Sequence, residues 1–418
     1  MTRVQPSAAA QKGGVAERFA EVWSGLERIG ADPSGGYTRL AWTPADTELR
    51  AWFHEQAARR DMASEQDANG NLWAWWGDAD GTPEQRAVVT GSHLDSVPNG
   101  GAFDGPLGVV SGFLAVDELR RQGRRPTRPI AVACFSDEEG GRFGIACVGS
   151  RLMTGAIRPE PARALVDGAG ISLARAMEQA GADPGAIGSD PERLSRIAAF
   201  VELHVEQGRF LADVPAPIGV ATAIWPHGRW RCTFRGQANH AGTTRLEDRR
   251  DPMLAFATSV LAARTAAESL GGRATFAKVA VHPNATNAIA SRVDAWLDAR
   301  APDVPTLRRL VDELADAARR AGASHDVGFD LEPESVTDLV ELEHALRARI
   351  SACLGGAPEL PTAAGHDAAT LAGHVPAAML FVRNPTGVSH SPDEHARLED
   401  CVAGVVALTH VLAELTGA

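Results

Sequence analysis

The chain has 418 residues, enough for two or three domains with buried cores. Hydrophobic residues make up 44% of it and charged residues 22%, an ordinary globular balance. Forty-one Lys and Arg against 53 Asp and Glu leave a formal net charge of −12, which removes any general attraction for nucleic acid or anionic lipid.

No apolar run approaches the roughly 18 residues of a membrane span, so neither nucleic acid nor membrane is an expected partner. Residues 1–14 are polar and small and lack the basic-then-apolar order of a secretion signal. Helical spacing of apolar residues predicts helices over 16–29 and 44–63. The pattern then changes to short apolar runs, bounded by Gly, Pro, Asn or Asp, at 72–76, 87–90, 130–136 and 198–203, with a helix predicted over 106–122. A different rhythm follows. Alternating segments at 230–235, 274–281, 292–299 and 327–331 are interrupted by helical stretches at 252–266 and 304–320. The chain returns to the earlier style with an apolar run at 377–382 and a helix over 393–415.

Continuous apolar strands separated by helices predict an α/β domain with a mostly parallel sheet covered by helices on both faces. The β-α-β-β-α-β order in the middle predicts an inserted ferredoxin-like α+β domain. The boundaries read as 1–213 with 331–418 for the larger domain and 214–330 for the insert. Five scattered cysteines (Cys134, Cys147, Cys232, Cys353 and Cys401) form no CxxC pair and read as reduced, mostly buried thiols of a cytoplasmic protein.

No phosphate-binding GxxxxGK[ST], no GxGxxG after a strand and no GxSxG elbow is present. Five His and acid clusters remain. His93 and Asp95 follow the run at 87–90, two residues apart, so a carboxylate could hold the imidazole while its other nitrogen binds a metal. Asp104-Gly105-Pro106 enters a helix, where the aspartate could cap it, ligate, or do both. Asp137-Glu138-Glu139 ends another run, and three successive acids repel one another unless a cation neutralises them. One of them could ligate while its neighbour accepts a proton from water. Glu202, His204 and Glu206 share one face of a strand and need partners there. His390 lies in a Gly/Ser/Pro loop. In an open α/β sheet, ligands bind beyond the carboxyl ends of the strands, and four of these clusters follow strand-type runs and fall there. His93, Asp104, Glu139, His204 and His390 together suffice for two divalent ions if one carboxylate bridges.

Gly91–Val97, Asp104-Gly105, Asp137-Glu138-Glu139-Gly140, the string Glu202-Leu203-His204-Val205-Glu206-Gln207-Gly208, Asn239-His240-Ala241-Gly242-Thr243-Thr244, Gly365-His366-Asp367 and Ser389-His390 resemble the amidase/hydantoinase/carbamoylase family of the dinuclear-zinc aminoacylase and carboxypeptidase superfamily. The resemblance runs in order over roughly residues 20–415. It implies that His93 and His204 bind one ion, Glu139 and His390 the other, and that Asp104 bridges them. It further implies Glu138 as general base and then acid, with Asp95 orienting His93. His240 would steady the oxyanion, Asn287 and Arg300 would hold a substrate carboxylate, and Gln207 and Gly365 would line the pocket. His366-Asp367 reads as a structural pair.

The expected activity is hydrolysis of a carbamoyl or related linear C–N bond in a small carboxylate-bearing molecule such as an N-carbamoyl-L-amino acid or allantoate. The alternatives are an aminoacylase or dipeptidase on the same scaffold, or a non-catalytic metal-dependent binding protein. The resemblance also implies a homodimer joined through the insert. Zinc is the expected ion, with manganese, cobalt or nickel also suited to His and carboxylate donors. Two stretches depart from the family pattern, Thr244-Arg245-Leu246-Glu247 and Ala288-Ile289-Ala290.

Overall fold

A computed structural model describes residues 13–418, so the reading of residues 1–14 lies almost wholly outside the described part. Contacts divide it into two units, one ending at Thr222 and resuming over Glu341–Leu360 and Gly365–Ala418, the other made of Ala223–Val340 and Pro361–Ala364.

The larger unit is built on a mixed sheet. Its centre is four parallel strands in the order Ile130–Phe135, Ala87–His93, Ile197–Val205, Ala377–Val382. They are buried almost throughout, which is why they appear in the sequence as unbroken apolar runs rather than alternations. Antiparallel strands flank them: Leu72–Trp76 and then Ala63–Gln66 on one side, Ile218–Ile224 on the other. The helices Pro106–Arg121 and Leu398–Thr416 are drawn into the main core by residues such as Leu107, Val110, Phe113, Leu408 and Leu412. Each such side chain contributes about 1.5–3 kcal/mol relative to exposure. A smaller cluster around Trp42, Phe143, Leu152 and Met177 forms elsewhere in the unit.

The elements depart from expectation where polar groups intervene. The first helix spans Val15–Ser24, not 16–29, because buried Arg39 donates to the carbonyls of Leu26 (2.7 Å) and Ile29 (2.9 Å), which a longer helix would leave open or use itself. The second ends at Ala58, and Asp61 takes a left-handed φ of 47°, turning the chain so that Ala63–Gln66 pairs as an edge strand. The strand Ile218–Ile224 has no sequence counterpart in the expectation. It pairs with Ala377–Val382, which moves the first unit's end from 213 to Thr222. Between residues 148 and 213 the chain forms five helices of four to seven residues, too short for a periodic signal. The last helix begins at Leu398 rather than 393, since Glu394 is buried and engaged in the loop before it.

The second unit is a four-stranded antiparallel sheet in the order Gly328–Thr337, His227–Arg235, Arg292–Arg300, Arg273–His282. The helices Pro252–Leu270 and Val304–Ser324 pack with the sheet residues Cys232, Phe234, Val293, Ala295 and Leu297 in one core. Alternate residues carry polar contacts, including the Arg231–Glu332 ion pair and Lys278 over the Trp296 ring, so the alternation in the sequence marks a sheet with one dry face. All five cysteines are free, and all but Cys353 are buried. Among the described residues no helix is long and apolar enough to cross a membrane.

Candidate metal centre

His93 is the last residue of its strand, the three acids follow the end of Ile130–Phe135, His204 is the penultimate residue of Ile197–Val205, and His390 lies in the loop after Ala377–Val382. Because those strands are parallel, all four segments leave the sheet at one edge. Asp104 arrives from the turn that opens the helix Pro106–Arg121. Gly105 in that turn has φ +85°, and a Cβ there would run into the His93 ring, so only glycine lets the aspartate approach.

Asp104 sits between two groups of donors. Its Oδ1 lies 3.1 Å from His204 Nε2 and 3.6 Å from His93 Nε2. Its Oδ2 lies 3.5 Å from His390 Nε2, which is itself 3.2 Å from Glu139 Oε2. His93, Asp104 and His204 each offer a ligand atom within 4.8 Å of the others, and so do Asp104, Glu139 and His390. The tautomers suit ligation. His93 Nδ1 bonds the Asp95 carbonyl (3.0 Å) and His204 Nδ1 bonds the Val205 carbonyl (2.8 Å), so each Nδ1 carries the proton and each Nε2 keeps its lone pair. Both Nε2 atoms are buried without a hydrogen bond of acceptable geometry, a costly condition that a cation relieves. The donors present therefore fit a divalent metal.

A third grouping, Glu202, His204 and His366, also lies within 4.8 Å. Both Glu202 oxygens are already engaged, by Ser92 Oγ (2.8 Å) and the Ala368 N–H (3.0 Å), so it is the less open set. His366, read from sequence as half of a structural pair with Asp367, packs its ring 4.6 Å from that of His204, and Asp367 accepts from Ser150 Oγ at 2.5 Å.

The acid loop is clasped from behind. The carbonyls of residues 136, 137 and 138 accept from the N–H groups of Gly149, Val148 and Cys147 in turn, and Asp137 takes a left-handed φ of 54°. The Asp95 carboxylate does not chiefly hold His93, as expected. It lies 3.7 Å from His93 Nδ1 and accepts instead from the backbone N–H of Glu138 (3.2 Å) and of Glu139 (3.1 Å). Two orphan N–H groups outbid a ring already satisfied by a carbonyl. Glu138 is buried, with Oε2 3.7 Å from His93 Nε2 and Oε1 3.4 Å from the Cys147 thiol. Burial, then Asp367, Glu139 and Asp95, push its pKa well up against the pull of His93.

The surrounding acids favour the charged form of the imidazoles. Burial works against a charged His93, yet Glu138, Asp104 and Asp95 raise its pKa well above the ordinary value. His390 is raised to about 9, chiefly by Glu139. An imidazole must be neutral to ligate, and His390 with a pKa of about 9 is charged at pH 7, so divalent ion uptake at pH 7 is expected to release protons and to tighten as pH rises toward 9. Titration calorimetry in buffers of different ionisation enthalpy measures this; an uptake free of proton release would contradict it.

The remaining sequence candidates distribute as follows. Gln207, expected at the substrate, donates its Nε2 to Asp104 Oδ2 at 2.8 Å. Gly365 precedes His366 in the larger unit and is partly buried. In the second unit His240 is exposed, and its Nδ1 accepts from the N–H groups of Gly242 (3.0 Å) and Thr243 (3.2 Å), which leaves Nε2–H pointing outward as a donor. Asn287 is beside it, its carbonyl accepting from the Ala241 N–H at 3.0 Å. Arg300 is not. It ends the strand Arg292–Arg300, whose other end adjoins the His240 and Asn287 loops, a run of about 27 Å at the usual strand rise. Within one chain Asn287 and Arg300 cannot grip the same carboxylate. Of the departures from the family pattern, Ile289 and Ala290 are buried and Arg245 makes exposed ion pairs with Glu247 and Asp248.

Sequence reasoning gave no role at the site to Glu394, Ser389 or Cys147, all within contact of the centre. Glu394, four residues after His390, carried no motif and fell inside the helix predicted over 393–415, so nothing in the sequence marked it as a buried acid of the site.

The pattern of Peptidase family M20/M25/M40 matches residues 89–414. An N-carbamoyl-L-amino acid amidohydrolase from Geobacillus stearothermophilus is 37% identical over 405 residues, covering 96% of this chain and 98% of that one. An allantoate amidohydrolase from Escherichia coli is 34% identical, covering 93% and 95%. The crystal structure of an amidase of the hydantoinase/carbamoylase family from Burkholderia vietnamiensis superposes with a TM-score of 0.86 at 30% identity, over 98% of this chain and 99% of that one. Carrying the donors of a divalent metal centre at one sheet edge, the chain belongs to Peptidase family M20/M25/M40, among its hydantoinase/carbamoylase amidases.

Proposed function

We propose that this amidohydrolase, an enzyme of non-peptide C–N bonds, cleaves the carbamoyl or ureido bond of a small molecule bearing a carboxylate, such as an N-carbamoyl-L-amino acid or allantoate. The observation that carries the reading is Asp104 set between two donor groups with the buried acid Glu138 alongside. His93 and His204 would hold one divalent ion, Glu139 and His390 a second, and Asp104 both; zinc suits this donor set best. Such ions supply Lewis acidity toward a carbonyl oxygen and make nearby water easier to deprotonate.

The chain's own groups do the rest. Glu138 takes a proton from the attacking water and later delivers it to the departing nitrogen, and burial that favours its protonated form lets it hold that proton between the two events. His240, with Nδ1 fixed as acceptor, donates from Nε2 to the oxyanion as charge develops. Arg300 is braced by Asp298 and the Ala363 carbonyl, which engage three of its five N–H groups and leave the outer two for a substrate carboxylate. Arg300→Ala is expected to raise KM about 10- to 100-fold for carboxylate-bearing ureido compounds, the equivalent of roughly 1.5–3 kcal/mol, and to leave neutral amides little changed. A panel of N-carbamoyl, N-acetyl and dipeptide derivatives of one amino acid, with allantoate, tests this and the substrate class together. Faster turnover of the acetyl or dipeptide compounds would overturn the ureido reading.

The enzyme is a homodimer through its second unit in this reading, and a cytoplasmic one. Support for the dimer comes from the helix Pro252–Leu270, which exposes Leu254 (48%) and Leu261 (72%) beside the free edge strand Arg273–His282 with exposed Val279. It comes also from the separation of His240 and Arg300, which lets one substrate meet His240 and Asn287 of one subunit and Arg300 of the other. The free thiols of all five cysteines support a reducing compartment.

A further inference from the structure

We infer that Glu394 is a positioning residue of the metal centre. By joining the Asp104 turn to the His390 loop, it sets the geometry of the second donor group, Asp104, Glu139 and His390; the inference rests on the metal reading above.

Glu394 is 5% exposed. Its Oε1 accepts from two consecutive backbone N–H groups, Phe103 at 2.8 Å and Asp104 at 3.0 Å, across some 290 residues of sequence. Its Oε2 lies 3.3 Å from Ser389 Oγ, and that hydroxyl also lies 3.1 Å from Asp104 Oδ2, donating to one or the other. One carboxylate thus holds the backbone of a proposed bridging ligand and, through the neighbouring serine, the loop that carries His390. Gly101 shows how tightly the acid is fitted, since a Cβ there would overlap the Glu394 carboxyl group.

The second donor group needs such a brace more than the first does. His93 and His204 belong to buried strands, whose ladders fix them. His390 is in a loop, is half exposed, and has a left-handed φ of 54°, a conformation that persists in a non-glycine residue only where its surroundings enforce it. Asn384 secures the early part of that loop, accepting from the N–H groups of Thr386 and Gly387 and donating to the Val388 carbonyl. The late part is turned by the backbone N–H of residue 394 on the Ser391 carbonyl at 3.0 Å, and the Glu394 carboxyl group reaches the loop through Ser389 Oγ at 3.3 Å. Without the acid, the Phe103 and Asp104 N–H groups lose their acceptor in a buried place, and Asp104 and His390 can drift apart.

The test is zinc uptake, read by calorimetry and by metal content after gel filtration, on the full-length native protein, Glu394→Ala, Glu394→Gln and Ser389→Ala. Glu394→Ala should keep first-ion affinity within a few-fold and weaken the second by about 10- to 100-fold, the usual effect of losing a group behind a ligand. Glu394→Gln keeps an oxygen for the two N–H groups and should restore most of the second-ion affinity. Ser389→Ala, which spares the Asp104 turn, should weaken the second ion alone and less severely. Equal loss of both ions in Glu394→Ala, or in Ser389→Ala should the former fail to fold, would overturn the inference, as would loss of neither. If the native protein itself takes up only one ion, the two-ion reading fails first, a result visible without any variant.

Discussion

A Glu138→Gln protein is expected to bind both ions as the native chain does and to lose kcat by about 1,000-fold or more, roughly 4 kcal/mol of barrier. The reasons are local. Glutamine keeps the volume of a buried side chain, and the backbone bonds from residue 138 to Asp95 and Cys147 do not involve the carboxyl group. What disappears is the only thing the substitution targets, an oxygen able to take a proton and return it. Glu139, one residue on, is the proposed ligand and stays untouched, so metal content separates the two roles. Steady-state kinetics with metal analysis checks the result, and a variant with native kcat would remove Glu138 from the reaction.

Asp104→Ala should do something different: abolish uptake of both ions at micromolar concentration, and with it all turnover. Among the described residues Asp104 is the one side chain common to the two donor groups, with one oxygen toward each. Its loss also leaves Gln207 Nε2 without its acceptor. Removing one partner from a buried polar set costs about 1–3 kcal/mol, so a lower melting temperature should accompany the loss. The contrast is His390→Ala, which should spare the ion between His93 and His204. If Asp104→Ala retained one ion at native affinity, the carboxylate would not be shared. Metal titration of the two variants side by side decides the matter.

How much of this was legible beforehand differs by element, for physical reasons. The four central strands were plain because both faces are buried, so nearly every position had to be apolar. The order of the second unit was equally plain, because one wet face imposes alternation on each strand. Four of the five metal-donor candidates were legible as chemistry at or just after strand ends, and Asp104 as an acid at a helix start. Ile218–Ile224 was missed, being a short antiparallel strand that reads like the start of the insert. The short helices after residue 148 carry too few turns for periodicity to register.

Roles were harder than positions. Asp95 was expected on the His93 ring and sits chiefly on the backbone of Glu138 and Glu139, because a spacing of two cannot tell whether a carboxylate faces a side chain or an amide 43 residues further along the chain. Asn287 and Arg300 were expected together, and the register of their strand sets them at opposite ends. Glu394 had no motif at all. Its partners lie at residues 103 and 104, and only folding brings them within reach.

The bond from Asp95 to the amides of residues 138 and 139 has a wider meaning. One carboxylate fixes the proposed proton carrier and a proposed metal donor as a single piece, so neither can be retuned without disturbing the other. Adaptation to a new compound then has little freedom in the hydrolytic apparatus and much in the exposed loops around His240 and at the end of the Arg300 strand.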